Sequence, residues 1–156
     1  MTSRLAKLSR RIQRELGDIE QAVSRAQVGW QAYQVSGDDL YLDSVALNLH
    51  SFYNGVERLF SGIATTLDNR LPEGHRWHKA LLDQMASEVS DIRPAVISDS
   101  TLGLLDNYCR FRHVVRNIYS YRLDPDQLKG LVNEVEVAFT QTQQELVDFA
   151  DWLAQF

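Results

Sequence analysis

The sequence has little cysteine and proline and no long apolar run. Its 156 residues include one cysteine, Cys109, and three prolines. A single cysteine excludes an intramolecular disulfide and fits a reducing compartment. No window holds the ~20 apolar residues that a membrane span requires. The N-terminal stretch MTSRLAKLSRRIQREL has no continuous apolar segment either, so we expect no secretory signal and a cytoplasmic location.

Other absences narrow the possible chemistry. No stretch alternates strictly between apolar and polar residues with turn dipeptides at its ends, so we expect no β-strands. The chain has no glycine-rich phosphate loop and no nucleophile elbow, which argues against an NTPase or a hydrolase of that type. His75 and His78 lie three apart without a third ligand, whereas a zinc site needs three or four, so we expect no metal and no cofactor.

Most of the chain shows helical periodicity. Apolar residues recur three and four apart in five segments, over 5–33, 45–67, 77–92, 104–118 and 128–153. VSGDD (35–39) interrupts the pattern, and Pro94 stops the third segment. Asp124, Pro125 and Gln127 suit the N-cap, the first position and the capping-box position of the last helix. We therefore predict one all-α domain over 1–156, an antiparallel up-and-down bundle of about five helices.

One segment concentrates cations. CRFRHVVRNIYSYRL (109–123) carries four arginines, one histidine and no acidic residue, although the formal net charge of the chain is -5. Two arginines on one face can hold a phosphate through bidentate contacts, and an imidazole beside them can move a proton near neutral pH. These groups suit cleavage of RNA, in which a 2′-hydroxyl attacks the adjacent phosphate. The alternative is a solvated face whose arginines pair with acidic neighbours.

Helical geometry arranges these side chains in two stripes. Arg112, Arg116 and Tyr119 share one stripe, and His113 and Asn117 form the second. Arg112 and Asn117 diverge by about 140° around the axis. They converge only if the helix ends there or if a second subunit completes the site.

Four stretches of the sequence resemble a known family. They are FRHVVRNIYSYRLDPDQL (111–128), ALNLHSFYNGVERLFSGIA (46–64), LPEGHRWHKALLDQM (71–85) and IRPAV (92–96). Together they are similar to HEPN-fold proteins of the HepT kind, the toxin halves of HepT–MntA toxin–antitoxin modules. The resemblance implies a HEPN-like helical domain.

The resemblance also implies an activity and a partner. Family members are homodimers whose paired motifs line one cleft and cleave RNA without a metal. Their motif is an arginine, four to six residues, a histidine, any residue and a tyrosine. By this match Arg112 binds the scissile phosphate, and Tyr119 receives AMP from a MntA-like nucleotidyltransferase antitoxin that silences the toxin. The histidine place falls on Asn117, whose amide cannot act as a general base.

Neighbouring residues on the fourth helix offer replacements for the missing imidazole. His113 is the nearest, one turn before Asn117 and three residues before Arg116. The alternative for His113 is a surface or packing histidine. Arg116 is expected to add a second phosphate contact. Asn117 has two open roles, contact with RNA and a cap at the end of the helix.

A polar stripe follows the second helix, opposite its apolar one. Its members are Asp43, His50, Asn54, Glu57 and Ser61. Solvent exposure is the simple interpretation. The alternative gives Glu57 a supporting role, in which it orients an arginine of the fourth helix by a charge-assisted hydrogen bond, with Tyr53 one turn before it.

Three functions remain open. The first is a toxin ribonuclease regulated by a nucleotidyltransferase. The second is a catalytically inactive HEPN-fold subunit that only docks the nucleotidyltransferase, which Asn117 favours. The third is a helical scaffold with an incidental arginine face.

Overall fold

Five α-helices make up most of residues 3–156, the part of the chain that the computed structural model describes. They span Ser3–Ser36 (α1), Leu40–Ile63 (α2), Trp77–Met85 (α3), Asp99–Asn117 (α4) and Pro125–Leu153 (α5). A π-helical turn, Ala64–Asp68, extends α2, and a 3₁₀ turn, Ser120–Arg122, follows α4. Within the described residues there is no strand, only one isolated bridge between Val89 and Arg93. The prediction of an all-α bundle is confirmed, while the first two residues of the predicted domain lie outside the described part.

The first two helices form an antiparallel pair. Glu15 on α1 contacts Arg58 on α2 at 2.8 Å, and Ile19 faces Gly55, so residue numbers rise on one helix as they fall on the other. A Cβ atom at position 55 would lie 2.6 Å from Cγ1 of Ile19. Glycine at position 55 therefore lets the two backbones approach closely.

Antiparallel order continues through α4 and α5. Thr101 donates a 2.8 Å hydrogen bond to Glu145, and the Tyr108 hydroxyl donates one of 2.6 Å to the carbonyl of Leu131. Tyr108 also meets Phe52 of α2 edge to face, with 5.1 Å between ring centroids. These contacts fix α4 between α2 and α5 with one face toward the core.

Apolar stripes of the long helices meet in one hydrophobic core. Its largest fully buried side chains are aromatic and lie on α2 and α4: Tyr53, Tyr108, Phe52, Phe60 and Phe111. Burying a large apolar side chain of this kind contributes about 1.5–3 kcal/mol, so this core provides the main stabilisation of the bundle. Within the described helices none is both long and apolar enough to cross a membrane.

Local signals place several helix ends where the sequence predicts them. α1 ends at Ser36, and Gly37 follows with a left-handed φ of 69°. Asp124 caps α5 by accepting a hydrogen bond from the backbone N–H of Asp126, and Pro125 takes the first helical position.

The third helix is shorter than predicted. Apolar spacing predicted a helix until close to Pro94, but α3 ends at Met85. A tight turn follows, in which Val89 and Arg93 exchange backbone hydrogen bonds of 3.0 Å and Asp91 adopts a φ of 65°. The cause is burial of the Arg93 guanidinium, because its acceptors include loop carbonyls that a continuing helix would occupy.

The fourth helix also ends early. Its last residue is Asn117, and Ile118 is extended, with φ of -127° and ψ of 159°. The Asn117 amide donates a 2.6 Å hydrogen bond to the carbonyl of His113, the kind of side-chain contact that competes with helix propagation. The expected stripe through Arg112, Arg116 and Tyr119 is therefore wrong beyond Arg116.

Candidate functional site

The cationic end of α4 lies outside the core. Phe111 is buried, whereas Arg112 is half-buried and Arg116 is exposed. Among the residues that the structure describes, neither guanidinium forms a side-chain hydrogen bond or an ion pair. Both groups keep their full set of donors for a ligand.

Other arginines of the same segment are paired. Arg110 lies 3.5 Å from the Asp106 carboxylate and donates a 2.8 Å hydrogen bond to Asn107. Arg122 stacks over the ring of Tyr121. The interpretation of a solvated, paired face therefore describes Arg110 but not Arg112 and Arg116.

His113 and Asn117 are neighbours, as the spacing of four predicts. The Asn117 amide nitrogen lies 3.2 Å from Nδ1 of His113, in addition to its hydrogen bond to the His113 carbonyl. Of the two roles considered for Asn117, the helix-end cap is the one that the structure contains. Both side chains are exposed and belong to the last turn of α4.

Tyr119 lies just beyond the helix in extended backbone. It is 73% exposed, so its hydroxyl is accessible at this end of α4. Its ring stacks on Tyr121, with centroids 5.9 Å apart and planes 13° from parallel. Arg122 ends the 3₁₀ turn that follows Tyr119, and its backbone N–H donates a 2.9 Å hydrogen bond to the Tyr119 carbonyl. The two exposed tyrosines thus form one ordered aromatic surface.

A second imidazole, which sequence reasoning did not single out, belongs to this region. His50 of α2 is half-buried. Burial, then the charges of Arg112 and Arg116, hold the pKa of His50 below its ordinary value of 6.5, while Glu57 acts in the opposite direction. His50 is therefore held neutral beside two unpaired cations.

Packing of α2 on α4 explains why His50 is there. The Tyr53 hydroxyl lies close to the thiol of Cys109, and burial raises the pKa of both groups. The start of α1 lies beside the C-terminal end of α5, where the Ser9 hydroxyl donates to the Ala150 carbonyl at 3.5 Å, so α2 and α5 run in the same direction and α4 is antiparallel to both. Three residues back on α2 from Tyr53 therefore correspond to three residues forward on α4 from Cys109. His50 thus faces Arg112. Cys109 itself is a half-buried, protonated thiol that packs against the core.

Glu57 has a different partner from the one considered. Its carboxylate lies 2.7 Å from Nδ1 of His78, and the side chain of Glu57 is buried. Solvent exposure is therefore wrong for this member of the polar stripe, and among residues 3–156 no arginine forms a hydrogen bond to it. The charge of Glu57 also acts on the His50 ring, whose pKa it raises.

Metal ligands do not cluster in the part of the chain described here. No group of three or more His, Cys, Asp or Glu side chains among residues 3–156 is placed to hold a metal ion. His78 is committed to Glu57, and His75 is exposed in the loop before α3.

The structure therefore rearranges the candidate set. It places Arg112 and Arg116 at the end of α4, joins His113 to Asn117, and separates Tyr119 from the helix. It adds His50. The available signal for His50 was its position on the polar stripe of α2, next to the buried residues Leu49 and Phe52.

Comparison with known proteins gives one result. A family model described as HepT-like protein matches residues 44–153, which is more than half of the chain. The matched range contains α3, α4 and α5, most of α2, and all the candidate site residues. No curated protein and no solved structure matches the chain.

Proposed function

The chain belongs to the HepT-like protein family, and from this premise we propose that it is the ribonuclease toxin of a HepT–MntA type toxin–antitoxin module. In this proposal it cleaves RNA in the cytoplasm and is regulated by a nucleotidyltransferase antitoxin. The observation that carries the proposal is the pair of unpaired guanidinium groups, Arg112 and Arg116, with an imidazole beside them.

Unpaired guanidinium groups of this kind are suited to binding a phosphodiester. Arg112 contacts the scissile phosphate and Arg116 contacts the same phosphate or its neighbour, both through charge-assisted hydrogen bonds. As the 2′-hydroxyl attacks, negative charge builds on the phosphoryl oxygens, and these donors are stronger in the transition state than in the ground state. His113, held by Asn117, is the α4 candidate for proton transfer.

A homodimer is part of the proposal. Arg112 and Asn117 lie on different sides of α4, so a second subunit is needed to bring the arginine of one chain to the His113–Asn117 pair of the other. Exposed apolar side chains on α2 and directly after α4 support such an interface: Leu47 is 61% and Ile118 is 38% exposed. Sedimentation equilibrium at micromolar concentration is expected to give twice the chain mass. A strict monomer would contradict this composite site.

Tyr119 is proposed as the residue that receives AMP. Its exposure gives a nucleotidyltransferase of the MntA kind access to the hydroxyl, and a bulky phosphate placed there would repel RNA from the arginine face. After incubation with ATP and the partner enzyme, peptide mass spectrometry should find AMP on Tyr119. The matched control is Tyr121, which is equally exposed at 73%. Addition at Tyr121 instead would contradict the assignment.

The test of the activity is cleavage of RNA by purified protein with a metal chelator present. We expect Arg112→Ala to lose about 10²–10³-fold in rate, the usual effect of removing one transition-state donor. Arg110→Ala is the control, because Arg110 is already engaged by Asp106 and Asn107. Equal rates for wild type and Arg112→Ala would contradict the role of Arg112.

One observation favours a second function. Asn117 occupies the place of the motif histidine, and its amide is used in a cap. A chain of this kind is expected to dock or receive the nucleotidyltransferase without cleaving RNA. Asn117→His restores the histidine of the family motif. A docking subunit is inactive as wild type, whereas the proposed toxin cleaves RNA without any substitution.

A further inference from the structure

We propose that His50 of α2 is the general base of this site, taking the proton of the attacking 2′-hydroxyl while Arg112 and Arg116 hold the adjacent phosphate. This inference rests on the proposed cleavage of RNA and assigns the proton transfer to a residue of another helix.

Helix packing places His50 where the base is needed. The Phe52–Tyr108 ring contact fixes the register of α2 against α4, and it places the Tyr53 hydroxyl close to the Cys109 thiol. Moving three residues along each antiparallel helix covers the same rise of about 4.5 Å and brings His50 opposite Arg112. No second subunit is required for this approach.

His50 also has the protonation state of a base. The charged groups that act on it are Arg112 and Arg116 from α4 and Glu57 from its own helix. The two arginines and burial favour the neutral ring, which keeps a lone pair available near neutral pH. When an RNA phosphate neutralises the arginines, this suppression weakens, so the ring becomes more basic when the substrate is bound.

The contacts of His50 leave it free to react. The Asn54 amide nitrogen lies 3.4 Å from each ring nitrogen, a long contact that selects neither tautomer. In comparison, His113 already has the Asn117 amide 3.2 Å from its Nδ1. His113 also projects about 100° around α4 from Arg112. Of the two imidazoles, His50 is the one that lies opposite Arg112 in a single chain, whereas His113 is a helical neighbour of Arg116.

The proposed cleavage needs no reactant other than the RNA and water. The 2′-oxygen forms a bond to phosphorus, its proton passes to the imidazole of His50, and the bond from phosphorus to the 5′-oxygen breaks. The leaving oxygen takes a proton from water. The products are a 2′,3′-cyclic phosphate and a 5′-hydroxyl, and the imidazolium returns its proton to solvent.

The experiment measures cleavage of a short RNA whose riboses are 2′-O-methylated except at one position, with chelator present, across the pH range in which an imidazole titrates. The wild-type rate is expected to rise with pH to a plateau. His50→Gln should lose about 10²–10⁴-fold and its rate should no longer show this rise. Arg112→Ala should be slow but keep the rise, displaced to higher pH. His75→Gln, at an exposed loop position, is the control and should match wild type.

Three results separate the possible failures. If wild type cleaves and His50→Gln cleaves equally with the same pH profile, His50 is not the base while the proposed function stands. If the pH dependence disappears in His113→Gln instead, the base is His113. If wild type cleaves nothing, the proposed function is wrong and the role of His50 falls with it.

A second measurement does not depend on a variant folding. The imidazole resonances of His50 are followed by NMR as wild-type protein is titrated with fully 2′-O-methylated RNA. Bound RNA is expected to raise the pKa of His50 toward its ordinary value. Binding that leaves the His50 titration unchanged would overturn the inference.

Discussion

Arg93 and Arg112 show two opposite uses of the same side chain. Arg93 follows α3, and its side chain is fully buried, with bonds of 2.7 and 2.8 Å to the two carboxylate oxygens of Asp68. Its remaining donors meet the carbonyls of Gln84, Ser87 and Pro94 at 2.9–3.1 Å. Every donor of this guanidinium has an acceptor, so Arg93 holds a loop in place and has nothing left for a ligand.

Arg112 and Arg116 are the reverse case. They are partly or fully exposed, they lie next to the neutral ring of His50, and within residues 3–156 they have no side-chain acceptor. A cation left without partners contributes little to stability. The comparison teaches that pairing, rather than the number of arginines in a segment, marks the cations that are available for binding.

The largest expected effect is on stability, at Arg93. Arg93→Met leaves the Asp68 carboxylate buried without its partner, which typically costs about 3–5 kcal/mol. Arg112→Met breaks no such contact and is expected to change the free energy of unfolding by about 0.5 kcal/mol or less. Denaturant unfolding followed by circular dichroism measures both. Similar losses for the two variants would remove the distinction between the sites.

RNA cleavage should depend strongly on Arg112, although stability should not. Arg112→Met is expected to reduce RNA cleavage by about 10²–10³-fold while the protein stays folded. Arg110→Met, two residues before Arg112 on the opposite side of α4 and paired with Asp106, is the matched control. Initial rates with chelator present measure this effect. A loss of the same size in the Arg110 variant would indicate a general requirement for positive charge.

Acid stability should distinguish the Arg93 site as well. Burial disfavours ionisation of Asp68, but hydrogen bonds from Arg93 and Gln84 and the charge of Arg93 outweigh it and hold the pKa of Asp68 below 3.8. Because the folded-state pKa is lowered, this stabilisation is complete above pH 3.8 and is lost as the pH falls through the folded-state value. Asp68→Asn should flatten that part of the profile of unfolding free energy against pH. If Asp68→Asn leaves the acidic part of this profile unchanged, Asp68 is not the group responsible for it.

A smaller effect is expected on the titration of His50. The charges of Arg112 and Arg116 lower its pKa, so Arg112→Gln should raise the pKa of His50 toward 6.5. Glu57→Gln should lower it further, because the Glu57 carboxylate acts in the opposite direction. NMR titration of the imidazole measures both shifts. A shift of the same sign in the two variants would rule out this electrostatic account.

Local features of the fold could be predicted from the sequence. The Asp124–Pro125 start of α5 and the break after Ser36 depend on residues within one turn of the helix end, so the signals are present in the sequence itself. The end of α3 was predicted wrongly. Arg93 is held there by hydrogen bonds to Asp68, which lies 25 residues earlier in the sequence. Apolar spacing carries no information about such a partner.

The candidate site divides in the same way. Arg112, Arg116 and Tyr119 could be proposed from the sequence because they lie in one short segment. His50 was not, because its relation to Arg112 depends on the register of two helices about sixty residues apart in sequence. The pairing of Glu57 with His78 was not predicted for the same reason, because these residues lie on different helices.

The central claim is that Arg112 and Arg116 bind the RNA backbone, and salt-dependent binding tests it most directly. Affinity for a fully 2′-O-methylated RNA is measured at several salt concentrations for wild type and for variants carrying Arg112→Gln with Arg116→Gln, or Arg110→Gln alone. Each phosphate contact to a single strand contributes about 0.7 to the slope of log affinity against log salt concentration, so the double variant should lose about 1.4. The Arg110 variant should keep the wild-type slope. A double variant with the affinity and slope of wild type would contradict the account.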